Sequence, residues 1–207
     1  MIDFHVILRD GKEPSPFQEK ALLSLMGRNV YFIFNNEGYI SSRVKGYSLG
    51  TSEYVSYVDD DDVAVDVDLV YDVLKSKPTA LYTNSLIIDQ DDKILNTLFN
   101  ESHVHDPKLF SEWRIMIHQL AIVRRDIAIE AAEHTAKFVT KYNLPLMFDQ
   151  VYFHVVSNLT DWTYLPKICY HWRHWNFDKQ HFSRGGEQYH RLQSILKENP
   201  EALIPCR

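Results

Sequence analysis

The hydrophobic positions of the chain change rhythm along its length, and the changes mark its elements. "IDFHVIL" is a compact apolar run that predicts a first strand. In "SPFQEKALLSLMG", Phe17, Ala21 and Leu25 recur every four residues, the spacing of one helix face. Ser15 suits the N-cap, Pro16 the first helical position and Gln18 a capping box, while Gly27 suits a left-handed stop. "NVYFIF" predicts a second strand and "NNEG" a turn. "ISSRVKGYSLG" predicts a short helix, and "EYVSYV" a strand that ends in four consecutive aspartates, Asp59 to Asp62.

Further along, "DVDLVYDVLKS" predicts a helix stopped before Pro78. "TALYTNSLIIDQDDKILNTLF" predicts two strands joined by a polar turn. Periodicity leaves "EWRIMIHQLAIVRRDIAIEAAEHTAKFVTKY" open between one or two helices and a strand–helix pair. "MFDQVYFHVVSNL" predicts a helix, "WTYLPKICYHWRHW" a late aromatic strand, and "GGEQYHRLQSILKEN" a terminal helix. Strands alternating with helices give an α/β sandwich around a mostly parallel mixed sheet, with some antiparallel pairing. No repeat or linker interrupts the 207 residues, so one domain over 1–207 is expected.

Composition narrows the class. At 45% hydrophobic and 13% aromatic residues the chain can bury a sizeable core and is not a disordered segment. No run approaches the ~18 apolar residues of a membrane helix. The opening "MIDFHVILRDGKEP" lacks the pattern of a secretory leader. Cys169 and Cys206 are the only cysteines and have no metal-binding spacing. A cytoplasmic protein with no membrane partner is the expectation.

Charge adds an asymmetry to the net −6. From Lys167 to the C-terminus seven Lys/Arg stand against four acids, whereas the other 166 residues carry 15 against 24. Such blocks are usually solvated faces; here an acidic cluster and a basic segment could also meet across an anionic ligand.

The four aspartates carry the candidate chemistry. In open α/β sheets ligands lie beyond the carboxyl ends of the strands, which is where this run falls. Adjacent carboxylates repel unless a cation or a row of donors compensates them. Carboxylate oxygens suit Mg²⁺ or Mn²⁺, which bind through one or two carboxylates plus substrate phosphates. A bare acidic run is more often only a solvated turn, so the segment leading into it matters.

That segment, "NNEGYISSRVKGYSLGTSEYVSYVDDDD", resembles the glycosyltransferases of family 2, which have the GT-A fold. Their corresponding stretch reads Asn-x-Gly, then Ala-Arg-Asn-x-Gly, then Gly-Glu-Tyr-Ile-x-Phe-Leu-Asp-x-Asp-Asp. Gly38, Arg43, Gly46, Glu53, Tyr54, Val55, Tyr57, Val58, Asp59, Asp61 and Asp62 stand at matching places. Downstream, "HQLAIVRRDIAIEAA" is similar to the family's acceptor-side stretch ending in Arg-Arg. "LMFDQVYFHVV" is similar to its Glu-Asp-x-x-Leu, and "LPKICYHWRHWNFDKQHFS" to its late aromatic segment with Arg and His. The likeness runs from residue 30 to about residue 183.

It implies a GT-A sandwich and an inverting transferase that takes a sugar from a nucleotide-diphosphate sugar to an acceptor hydroxyl. The acceptor could be a saccharide, or a hydroxylated DNA base. Asp59 and Asp61 would hold Mn²⁺ or Mg²⁺ on the donor diphosphate, with His181 as a further metal ligand. Arg43, Asp59, Asp60 and Arg173 would bind the donor, and Asp149 would be the catalytic base. The chain departs from the pattern in three places: "VILRDG" lacks Pro-x-x-Asn, no Asp-Asp-Gly-Ser turn precedes "NNEG", and Phe148 replaces the glutamate before the base. Asn35, Asn36 and Glu37 are the residues available to replace the missing turn, which holds the nucleotide base. Two other functions fit an acidic strand end: an aspartyl phosphohydrolase, and a non-catalytic module that binds nucleotide sugar or nucleic acid through the basic, aromatic C-terminal segment.

Overall fold

Side-chain alternation on one mixed sheet sends apolar residues to both of its faces, and helices cover each face. The computed structural model describes residues 1–8, 15–35, 38–98, 117, 120–175 and 179–205, with only the backbone at 97–98 and 179–184. In chain order the elements are β1 (Ile2–Leu8), α1 (Pro16–Ser24), β2 (Asn29–Phe34), α2 (Tyr39–Ser48), β3 (Tyr54–Val58), β4 (Val63–Ala64), α3 (Val67–Leu74), β5 (Ala80–Ile88), β6 (Ile94–Leu98), β7 (Ile122–Arg124), α4 (Arg125–Lys141), α5 (Phe148–Leu159), β8 (Trp162–Arg173) and α6 (Lys179–Glu198).

The sheet order is β2-β1-β3-β7-β5-β8-β4, with β6 paired to β5. β2, β1, β3, β5 and β8 run one way, and β4, β6 and β7 run against them. Val55 and Tyr57 of β3 join one core with α2, α4, α5 and α6. Tyr54 and Val58, their neighbours in sequence, join the other with Leu25, just past the end of α1, and with α3. A period of two on the strands thus makes the three-layer sandwich.

Most expected elements are present, and several local signals are realised atom by atom. The capping box of α1 is complete: Gln18 N donates to Ser15 Oγ and Ser15 N donates to Gln18 Oε1. Ala21 and Leu25 are fully buried, and Gly27 adopts φ +78°. The ambiguous segment resolves as a strand–helix pair, β7 and α4. Pro166 falls where the β5–β8 register slips, the kind of bulge that tolerates a residue without an N–H. The two-residue strand β4 had no sequence signal of its own; it forms because the acidic turn delivers Val63 and Ala64 beside β8.

One glycine on α2 is fixed by packing. A Cβ on Gly46 would overlap the Tyr57 hydroxyl and a methyl of Ile33. Tyr57 is 3% exposed and donates to the carbonyls of Arg43 and Ser42, so it has nowhere to retreat. Gly46→Ala is therefore expected to destabilise the fold by about 1–3 kcal/mol through overpacking. A urea midpoint equal to wild type would show that the α2–β3 contact is looser than described.

Candidate functional site

β1, β2 and β3 run parallel, so their carboxyl ends gather at one crest of the sheet. Asp59 immediately follows β3 there. The next three aspartates form a turn, closed by Asp62 N donating to Asp59 O at 3.2 Å, that leads into β4. Each carboxylate then meets a different partner. Asp60, 8% exposed, accepts from Gln18 Nε2 at 2.6 Å, so the residue that caps α1 also anchors the turn. Asp61 Oδ2 accepts from the Trp175 indole Nε1 at 2.5 Å. Asp62, 1% exposed, accepts from Tyr170 Oη at 2.7 Å and from the Arg173 backbone N at 2.6 Å. The run is thus a docking turn, stapled to α1 and to the end of β8.

Asp59 is tied in the other direction, to α5. Arg43 Nη2 lies 3.2 Å from Asp59 Oδ1 and 3.3 Å from Asp149 Oδ1. Its guanidinium sits over the Tyr57 ring, 4.3 Å from the centroid, and over the Tyr39 ring at 5.1 Å. Tyr39 Oη accepts from Arg43 Nε at 3.0 Å and donates to Asp149 Oδ2 at 3.2 Å. Tyr39 and Arg43 are four residues apart on α2, which puts them on one helix face. Asp149 is in the first turn of α5, where the helix dipole favours a carboxylate. One buried cation therefore brings the end of β3 and the start of α5 together.

The electrostatics follow from this crowding. Burial pushes the Asp59 carboxyl up to about 6; Arg43 pulls it down, while Asp149, Asp61 and Asp60 push it further up. Burial, followed by the charge of Asp59, holds Asp62 well above the usual carboxylate range despite its bonds from Arg173 and Tyr170. Burial opposes the charge on Arg43, but Asp149, Tyr39 and Asp59 outweigh it and raise its pKa further.

A cavity of about 270 Å³ opens at the crest, lined by Ile7, Asn35, Tyr39, Asp59, Asp60, Asp61, Trp172, Arg173 and Trp175. Asp59, Asp60, Asp61 and Arg173 are thus brought together. Asp149 and Arg43 join them through Tyr39 and Asp59, although Arg43 is buried and does not line the cavity. Arg173 faces the acidic turn: Nε donates to Asp61 O at 2.9 Å, Nη1 to Asp89 O at 2.7 Å, and Nη2 pairs with Asp92 at 2.7 Å. The side chain of His181, with Asn36, Glu37 and His103–His105, lies outside the described residues. The Arg124–Arg125 pair is at the opposite end of β3 from Asp59, where Arg125 bonds the carbonyls of Tyr47, Leu49 and Ser52 and the Asp3 carboxylate.

Among the described residues no three His, Cys, Asp or Glu side chains form a ready-made metal cage. Mg²⁺ and Mn²⁺ do not need one when phosphates complete the shell. Asp59 and Asp61 on one cavity wall supply oxygen donors in the right number, and the raised proton affinity of Asp59 is what a cation would relieve. The residues fit such an ion. Sequence reasoning missed Tyr39, Gln18, Tyr170 and the indole of Trp175. The signals available were the spacing of Tyr39 from Arg43 and the place of Tyr170 and Trp175 in the late aromatic segment; Gln18 was marked only as a capping residue.

No protein-family model matches the chain, and no curated protein matches it by sequence. Solved structures do match in fold. S. aureus TarS 1–349 in complex with UDP superposes with a TM-score of 0.60 at 11% identity, over 99% of this chain and 75% of that one. The same fragment in complex with UDP-GlcNAc gives a TM-score of 0.55 at 11% identity, over 96% and 66%. A longer TarS structure gives 0.55 at 12% identity, and the match spans 40% of its length. The architecture is therefore the GT-A sandwich that the sequence resemblance implied. Among the described residues, no helix is long and apolar enough to cross a membrane.

Proposed function

We propose that the chain is a metal-dependent, inverting glycosyltransferase of the family 2 type, acting from a nucleoside-diphosphate sugar on an acceptor hydroxyl. One observation carries the reading. Arg43 pairs with both Asp149 and Asp59, and Tyr39, which bonds Asp149, lines the cavity with Asp59 and Asp61, so a candidate base and a candidate diphosphate site are linked through shared partners. The fold supports it, because TarS of the same architecture has been crystallised with UDP and with UDP-GlcNAc.

Asp59 and Asp61 would hold Mg²⁺ or Mn²⁺, which when bound supplies positive charge against the donor diphosphate. Tyr39 and Arg43 orient the Asp149 carboxylate with their hydrogen bonds. Asp149 takes the proton of the acceptor hydroxyl as that oxygen bonds to the anomeric carbon. The bond from that carbon to the diphosphate oxygen breaks, its electron pair leaves with the nucleoside diphosphate, and the configuration at the carbon inverts. Asp60 and Arg173 keep the acidic turn in place through their bonds to α1 and to the turn backbone.

Incubation with UDP-sugars and Mn²⁺, with products resolved by mass spectrometry, tests the reading. UDP release that requires the cation is expected. Release of inorganic phosphate would instead make the site a phosphohydrolase, and binding without turnover would make it a binding module. For the metal, Asp61→Asn is expected to weaken calorimetric UDP binding in Mn²⁺ by about tenfold or more, since even supporting residues of a metal site cost that much. Wild-type affinity undiminished by excess chelator would remove the cation from the donor site.

A further inference from the structure

The turn between β5 and β6 puts an aspartate where the backbone favours glycine. Asp92 adopts φ +64°, in the left-handed region. Asp89 closes the turn: its carbonyl accepts from Asp92 N at 3.1 Å, and its Oδ1 accepts from the backbone N of Asp91 and of Lys93. What an aspartate adds over a glycine at position 92 is a carboxylate, and both of its oxygens are engaged. Oδ1 pairs with Arg173 Nη2 at 2.7 Å, and Oδ2 accepts from Lys20 Nζ of α1. The Lys20 bond first, and then that of Arg173, holds the Asp92 carboxyl below the usual carboxylate range, so it is charged at neutral pH.

Arg173 carries this pairing to the cavity. Its side chain is 0% exposed, with the guanidinium 4.8 Å from the centroid of the Phe17 ring. It lines the cavity with Asp59, Asp60 and Asp61, whereas Asp92 stands behind it and does not. Through Nε and Nη1 it holds the carbonyls of Asp61 and Asp89, so one guanidinium ties the two acidic turns together. A guanidinium binds most strongly to a carboxylate. The Asp61 carboxylate belongs to the residue that Arg173 already holds, and an Arg173 paired with it would occupy oxygens that a divalent cation needs.

With the metal-dependent donor reading as premise, we propose that Asp92 is a positioning residue of the donor site. It acts through Arg173: it balances that charge and holds it on the side away from the cavity. The Asp61 carboxylate is thereby kept for a divalent cation.

The Mn²⁺ requirement of UDP binding, measured on the full chain by calorimetry over a series of Mn²⁺ concentrations, tests the proposal. Asparagine and glycine both suit the left-handed backbone, so Asp92→Asn and Asp92→Gly should keep the turn. Each is expected to raise the Mn²⁺ concentration for half-maximal UDP binding by about tenfold, the lower range for outer residues of a metal site. Excess Mn²⁺ should restore the UDP affinity, which a general loosening of the site would not allow. In an Arg173→Met background Asp92→Asn should have no further effect, because the charge that Asp92 restrains is gone. Asp92 is 40% exposed, so its two variants decide the matter even if Arg173→Met fails to fold. A wild-type Mn²⁺ requirement in both Asp92 variants would overturn the proposal and leave the transferase reading intact. So would a loss of the same size with and without Arg173. Wild-type protein that bound UDP equally in Mn²⁺ and in chelator, or bound none in Mn²⁺, would overturn the donor-site reading and the proposal together.

Discussion

Asp149→Asn is expected to slow sugar transfer by roughly 10² or more while leaving UDP affinity nearly unchanged. The substitution keeps size and shape, and the amide oxygen can still accept from Arg43 Nη2 and Tyr39 Oη, so the local packing survives. What disappears is the ability to take a proton as the acceptor oxygen attacks, an interaction made only on the way to the transition state. Release of nucleoside diphosphate under saturating donor measures the turnover, and calorimetry measures the binding. Tyr39→Phe should have a smaller effect in the same direction, because it removes one hydrogen bond that orients the carboxylate and leaves the base in place. A variant that lost donor affinity but kept turnover would make Asp149 a binding residue. Transfer at the wild-type rate would place the base elsewhere.

How much of this could be read in the sequence follows from the range of the interactions. The ends of α1 were legible because Ser15, Pro16 and Gln18 act within one turn of the chain. The three-layer sandwich was legible because strand alternation and helix spacing are local periods. That the strand ends in a run of carboxylates at the carboxyl crest of the sheet was legible for the same reason, since "YVSYVDDDD" displays strand, terminus and charge in one stretch. The division of labour among the four aspartates was not legible. It depends on partners 42, 114 and 108 residues away: Gln18 on Asp60, Trp175 on Asp61 and Tyr170 on Asp62. Nothing in four identical side chains says that one will be stapled under β8 and another will face a cavity.

Arg43 shows the same limit in a sharper form. Its residue type and place suggested a hand for donor phosphates, because a guanidinium is a phosphate binder. It is instead enclosed by two tyrosine rings with its donors turned to Tyr39, Asp59 and Asp149. In the structure it arranges carboxylates, an arrangement that depends on α5 joining from a hundred residues downstream.

Removing that cation is expected to be among the most damaging single changes to the fold. In Arg43→Met the hydrophobic stem is retained, so the loss is chiefly electrostatic. Taking one partner from a buried charge pair costs about 3–5 kcal/mol. Asp59 and Asp149 are 37% and 33% exposed, so water can reach both, which puts the expectation at the low end, about 3 kcal/mol at pH 8. The loss should shrink in acid. Without Arg43 the Asp59 carboxyl, already pushed up to about 6, rises further, while in the unfolded chain it returns to about 3.9. Between those values the folded variant binds a proton that the unfolded chain does not, so its stability falls as pH rises through the window. Urea denaturation at pH 5 and pH 8 should therefore show a wider gap from wild type at pH 8. Arg43→Lys should recover part of the stability through its charge but not all of it, because an ammonium lacks the flat fork that reaches both carboxylates at once. A gap of the same size at both pH values would mean that Arg43 matters for its packing against Tyr57 and Tyr39, and that the two carboxylates do not need it.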